Sequence, residues 1–191
     1  MYGYGTDYRH PDLVKFLRKH SLLTDGPYTL ASGAQSDYYI DCRLTSFHQE
    51  GSKLIALSIL DELRKQDQHI DLVGGVDMGA TPIVSVVAAC SWAYLSGFNT
   101  VHAFVIRKNM KEHGTQKQIE GIFYKNARVA IIEDVVTTGN SLLKAVEVVK
   151  NAGAKVITVI SVIDRGSDLE EKLKDLNITY QPLVTLKELL I

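Results

Sequence analysis

Hydrophobic and polar positions along the 191-residue chain change their spacing near residue 70. Before it, helical spacing dominates. Pro11 and Asp12 open an amphipathic helix that runs to about His20, with Leu13, Phe16 and Leu17 on one face. The stretch YTLASGAQSDYYIDCR (28–43) reads as strand, polar turn, strand. A second helix is expected from about Gln49 to Asp67, its apolar face built from residues such as Leu54, Ile55, Ile59 and Leu63. Beyond residue 70, short apolar runs alternate with helical stretches. LVGGV (72–76), VHAFVI (101–106), VAII (129–132) and KVITVISVI (155–163) are expected strands. Residues 82–96 are an expected buried helix with Pro82 near its first turn, and 141–151 another, ended by Asn151-Ala152-Gly153.

Strands alternating with helices predict an α/β fold whose mainly parallel central sheet is flanked by helices on both faces. Residues 1 to about 65 are expected to form a small hood and flanking elements on a core of about 66–166. Residues 167–191 form a C-terminal extension in which 169–191 add a helix and a short strand or turn. No repeat or low-complexity linker divides the chain, so a single domain is expected.

Composition narrows the function classes. Hydrophobic residues make up 46% and charged residues 23%, enough for a packed core. A net charge of -1 gives no basic surplus for general nucleic-acid binding. Cys42 and Cys90 lack metal-type spacing and read as reduced, half-buried small hydrophobes. The N-terminus lacks an apolar signal region, and the longest apolar run (82–95) is too short for a membrane span, so a soluble cytoplasmic protein is expected.

The chemistry concentrates in IIEDVVTTGNS (131–141). An oily strand runs into Glu133 and Asp134, which would fall just beyond its carboxyl end, where open parallel sheets bind ligands. Carboxylates accept hydrogen bonds from sugar hydroxyls and tolerate a divalent cation. The small residues Thr137, Thr138, Gly139, Asn140 and Ser141 lead into a helix N-terminus, where free N–H groups and the dipole attract phosphate. Together they suit a ligand with both free sugar hydroxyls and a phosphate. The plain alternative is a solvated loop with a Ser/Thr helix cap. Neither G-x-G-x-x-G nor G-x-x-x-x-G-K-[ST] is present, which argues against dinucleotide and P-loop chemistry.

VAIIEDVVTTGNS (129–141) resembles the phosphoribosyl pyrophosphate (PRPP) motif of type I phosphoribosyltransferases. That resemblance implies the type I phosphoribosyltransferase fold, with Glu133 and Asp134 on the ribose hydroxyls and the loop of Val135, Val136, Thr137, Thr138, Gly139, Asn140 and Ser141 on the 5′-phosphate. The long, cation-bearing segment 107–121 reads as a lid with hinges at Gly114 and Gly121, against the alternative of a solvated loop. Its R-K-x-x-K-x-H-G pattern (Arg107, Lys108, Lys111, His113, Gly114) resembles the catalytic loop of the orotate phosphoribosyltransferase family. By that resemblance Arg107, Lys108, Lys111 and His113 reach PRPP or the departing pyrophosphate, in part across a homodimer interface. Lys108, Lys111, His113 and Asp134 are the implied catalytic residues, with Mg2+ carried mainly by PRPP, near Asp134.

Three further stretches match. TLASGAQSDYYID (29–41) resembles the family's hood segment, which implies Tyr38 and Tyr39 near the base; strand alternation leaves one of the two as core packing. GGVDMGATPI (74–83) falls at the family's pyrophosphate loop, and VIDRG (162–166) places Arg165 where an arginine binds the carboxylate of orotate, with Thr137 also near the base. Two departures stand out: Ala31 and Gly79 occupy positions where many or some relatives carry lysine. The resemblance spans about residues 28–166 and implies transfer of the phosphoribosyl group from PRPP to orotate in pyrimidine biosynthesis. The rivals are a phosphoribosyltransferase for another nucleobase and a non-catalytic PRPP-sensing regulator.

Overall fold

The computed structural model describes residues 9–29, 33–94, 100–108 and 118–191. Helix α1 (Arg9–His20) opens the hood, followed by strands β1 (Leu22–Leu23), β2 (Tyr28–Thr29), β3 (Gln35–Ser36) and β4 (Tyr39–Ile40), a short helix α2 (Arg43–Ser46) and the long α3 (Gln49–Arg64). Residues 28–43 were expected as one strand-turn-strand unit. Within them β2 and β3 pair antiparallel as expected, but the stretch also holds β4, which pairs with β1 at residues 22–23. Helix α3 starts where His48 Nδ1 accepts from the Glu50 amide, and it buries the Ile55, Ile59 and Leu63 stripe that its periodicity foretold.

The core consists of β5 (Leu72–Val76), α4 (Thr81–Tyr94), β6 (His102–Ile106), β7 (Ile119–Gly121), β8 (Arg128–Val136), α5 (Asn140–Asn151), β9 (Lys155–Asp164), α6 (Leu169–Lys174), β10 (Thr179–Thr185) and α7 (Leu186–Leu190). Its six-stranded sheet has the order β10-β9-β8-β5-β6-β7, parallel except for the β6–β7 pair. One apolar cluster packs α1, α3 and α4 against one sheet face; a second packs α5 and α6 against the other. The expected two-faced α/β core is therefore present. The C-terminal segment does more than the expected short strand or turn: β10 is seven residues long and forms the sheet's outer parallel edge. Helix α7 is held by a Thr185–Glu188 capping box, and Arg18 of α1 donates to the Glu188 and Leu189 carbonyls.

Segment 107–121 also differs from a simple loop. Its far end is β7, paired with β6, and Gly121 has φ +104 with Ala103 O 2.8 Å from where a Cβ would lie. Gly121 is thus a tight pairing position in a hairpin rather than a free hinge; Gly114 lies outside the described residues. Both cysteines are free thiols, Cys42 buried and Cys90 half-buried.

Strand β5 is buried along its whole length, and its glycines set the spacing of the layers. A Cβ on Gly75 would collide with Ala80 Cβ at the start of α4 and sit 2.6 Å from Ile132 O. Neither neighbour is the end of a flexible side chain. Gly75→Ala is expected to cost about 1–3 kcal/mol through overpacking. At ~2–4 °C per kcal/mol for a chain of this size, thermal melting should show a fall of several degrees. An unchanged Tm would mean that the layers can separate freely.

Candidate active site

The chain leaves β5 through α4 to β6 on one side, and leaves β8 through α5 to β9 on the other. The point between β5 and β8 is therefore the topological switch point, where open α/β sheets bind ligands. The register deepens this crevice. β5 follows β8 only as far as Gly75 opposite Ile132, whereas β8 continues beside β9 to Val136 opposite Asp164. The sequence suggested that the strand closes at Ile132 with the acids beyond it. The ten-residue β9 instead offers partners to three more residues, Glu133, Val135 and Val136, so Glu133 and Asp134 lie within the strand's end, beyond the last residue that β5 pairs.

A cavity of about 770 Å³ opens there. Of the residues singled out in the sequence, Tyr39, Lys108, Glu133, Asp134, Val135, Thr137, Ser141 and Arg165 line it together. Tyr38 does not; it packs against the first apolar cluster, as alternation along the strand requires. Val136 is buried in the second cluster, while Thr138 and Asn140 are exposed on the loop and at the start of α5. Arg107 lines a neighbouring cavity of about 320 Å³ with Lys108 and Ser141, and its guanidinium is 3.8 Å from Glu120. Lys111 and His113 lie outside the described residues.

Glu133 is 7% exposed, and its Oε2 has no hydrogen-bond partner among the described residues. Burial, and then the negative charge of Asp134, raise its carboxyl from the ordinary 4.5 to about 8; Lys108 opposes the shift. Asp134 accepts from the Val135 amide and packs on the turn after β5. There a Cβ on Gly79 would lie 2.5 Å from Asp134 Oδ2. A side chain at position 79 and this placement of Asp134 exclude each other, which gives Gly79 a steric reason. The same turn has a cis peptide at Asp77–Met78, and Asp77 accepts from Thr81 Oγ1 at 3.0 Å.

The loop 137–141 does not end in the Ser/Thr cap that the plain alternative required. The cap position is Gly139, with φ 73 and no side-chain hydrogen bond, so the first amides of α5 keep no side-chain acceptor. Gly139 needs both its left-handed backbone and its missing Cβ, which would meet Leu169 Cδ1 at 2.7 Å. An uncapped helix start beside hydroxyls is a ready anion cradle.

Sequence reading missed Asp41 and Arg43, which enter the cavity from the hood. Arg43 donates from Nε and a terminal nitrogen to both oxygens of Asp41, at 2.8 and 2.9 Å. Their two-residue spacing after YYI was the available signal. Asp77 and Met78 also line the cavity, within the glycine-rich turn whose signal is weak by itself. The donors present for a cation are hard carboxylate oxygens of Asp77 and Asp134. Among the described residues no group of three or more His, Cys, Asp or Glu could hold a metal alone.

Comparison with known proteins agrees with this geometry. A family model described as "Phosphoribosyl transferase domain" matches residues 46–181. The chain is 35% identical over 183 residues to an orotate phosphoribosyltransferase of Methanosphaera stadtmanae, covering 96% of this chain and 97% of that protein. Two solved structures of Mycobacterium tuberculosis H37Rv orotate phosphoribosyltransferase superpose on it. The complex with Fe(III) dicitrate has a TM-score of 0.82 at 33% identity, and the complex with PRPP a TM-score of 0.79 at 28% identity. Each covers 96% of this chain and 99% of its own.

The raised Glu133 carboxyl gives a pH test. Between pH 4.5 and about 8 the folded chain holds a proton that the unfolded chain has released, so this residue lowers stability as pH rises through that window. Glu133→Gln mimics the protonated acid and removes the effect. The variant should melt close to the parent at pH 5 and several degrees above it at pH 8.5, a difference of roughly 2 kcal/mol or more. Parallel melting curves across pH would contradict the burial of an unpaired carboxyl.

Proposed function

The chain belongs to the phosphoribosyl transferase domain family, and from that membership we propose that it transfers the 5-phosphoribosyl group of PRPP to orotate. The products are orotidine 5′-monophosphate and pyrophosphate, a pentosyl transfer in pyrimidine biosynthesis. One observation carries the reading. At a single strand end, Asp134 and a Glu133 whose Oε2 has no partner among the described residues adjoin an uncapped helix start, with Arg165 lining the same cavity. The M. tuberculosis relative named for orotate was solved with PRPP.

The ribose hydroxyls donate to Glu133 and Asp134. The 5′-phosphate sits on the amides and hydroxyls of Thr137, Thr138, Gly139, Asn140 and Ser141, with Val135 and Val136 carrying the strand into that loop. Arg165 pairs with the orotate carboxylate, while Tyr39 and Thr137 bound the base. A ring nitrogen of orotate attacks C1 as the bond from C1 to the pyrophosphate oxygen breaks. The transition state is oxocarbenium-like, and the Asp134 carboxylate beside the ribose favours that developing positive charge. No covalent protein nucleophile is needed; alignment of the two substrates does much of the work.

Arg107, Lys108, Lys111 and His113 neutralise the departing pyrophosphate, and closure of segment 107–121 excludes water, which could take orotate's place. Asp134 would lie near Mg2+ brought in with PRPP, and the ion would offset pyrophosphate charge when bound. The carboxylates of Asp77 and Asp134 line the cavity as hard oxygen donors for that ion.

A homodimer sharing the catalytic loop completes the reading. It is supported by α4, which carries no charged residue and turns Ser85, Ala89 and a 75% exposed Trp92 outward. The 191 residues act as one domain of hood, PRPP-binding core and extension, tied together by β10 in the sheet and the Arg18–α7 contacts. Among the described residues no helix is long and apolar enough to cross a membrane; the proposed location is the cytoplasm.

Loss of orotate absorbance on adding PRPP and Mg2+ tests the function, with adenine, hypoxanthine and uracil as competing bases. Orotate alone should be consumed at a substantial rate. Preference for another base, or PRPP binding without turnover, would replace the reading with one of its rivals. Lys111→Ala should lower kcat by about 10²-fold or more; full turnover would remove the lid residues from the mechanism.

A further inference from the structure

The turn that carries Arg165 is fastened by a buried polar chain that the chemistry above does not use. Asp164, 7% exposed at the end of β9, accepts four hydrogen bonds among the described residues. Its Oδ1 accepts from the Gly166 and Ser167 amides at 2.8 and 2.9 Å, and its Oδ2 from Ser167 Oγ at 3.0 Å and the Tyr180 hydroxyl at 2.9 Å. The first three donors belong to the turn and move with it. Tyr180 alone ties the carboxylate to another strand, β10. On the opposite side the Arg165 amide donates to Val136 O, the residue just before the phosphate loop. Arg165 is thus suspended between β8 and β10.

The direction of the chain follows from the groups. A carboxylate only accepts, so the Tyr180 O–H donates to Asp164, and its remaining lone pairs face Ser161 Oγ at 2.8 Å. Burial first, and the neighbouring Asp164 in part, raise the Tyr180 phenol above its ordinary value, so it stays a donor through the working pH range. The ring packs against the second apolar cluster, a place a phenylalanine would fill without burying a hydroxyl. The hydroxyl's use is the anchor itself.

We propose that Tyr180 is a positioning residue for base recognition, its hydroxyl holding the Asp164–Ser167 turn so that Arg165 is preset toward the carboxylate of the base. This rests on the orotate reading of the cavity. Small misplacements of a positioning group cost binding and rate disproportionately. The effect should therefore appear on the base side of the reaction and not on the PRPP side.

The test is steady-state kinetics of Tyr180→Phe, with thermal melting to establish that it folds. KM for orotate should rise about fivefold to tenfold, with kcat and KM for PRPP within about twofold of the parent. In an Arg165→Ala background the same substitution should have no further effect on KM for orotate, because the residue acts through Arg165. Ser167→Ala, which removes a weaker bond of the same turn, should raise KM for orotate about threefold and serves if Tyr180→Phe fails to fold. An unchanged KM for orotate in a folded variant, an equal rise in both KM values, or additivity with Arg165→Ala would overturn the inference alone. Absence of orotate turnover by the parent chain would overturn the function on which it rests as well.

Discussion

Everything at the cavity depends on the burial of Glu133 at the end of a strand that outlasts its neighbour. Burying a carboxyl without a partner is unfavourable, and the fold sustains it because β8 is paired with β9 through Val136. β5 stops at Val76 and turns away, so Glu133 lines the cavity while its Oε2 stays buried without a partner among the described residues. An acceptor placed this way is satisfied by a donor that arrives with the ligand. On the proposed function, two ribose hydroxyls are such donors and the adjacent Asp134 is the second acceptor.

Charge is arranged around that pair in layers. Asp134 raises the Glu133 carboxyl, and Lys108, at the start of the segment after β6, opposes it. Arg43 is already bidentate with Asp41 at the hood, and that pairing pulls the Asp41 carboxyl below its ordinary value. Gly79 lets the turn after β5 close onto Asp134. In this chain the carboxylate takes the space that a side chain there would need. The phosphate end has the opposite character: small residues, an αL glycine and unshared amides, with no acid in the first turn of α5.

The core was legible in the sequence because its strands are uninterrupted apolar runs and its helices carry one clear apolar stripe. LVGGV, Ile131–Ile132 and the Val/Ile run of β9 could hardly be anything but buried strand, and IIEDVVTTGNS supplied residues that meet at one cavity. Three features escaped. The continuation of β8 through Glu133 depends on β9 as a partner, which no local pattern reveals. β7 is only three residues long, and β10, TYQPLVT, carries Pro182 and polar residues because it is an edge strand. The hood ladders of two residues each are held by tertiary contacts rather than by propensity. Asp41 and Arg43 were hidden for the same reason: their approach to the cavity is set by the β1–β4 pairing.

A structure of the chain with PRPP and Mg2+ bound tests the central claim most directly. The ribose 2′- and 3′-hydroxyls should lie within ~3 Å of Glu133 and Asp134 oxygens, with the 5′-phosphate on the amides of residues 137–141. PRPP found elsewhere, or bound in this crevice with both carboxylates turned from the sugar, would contradict it.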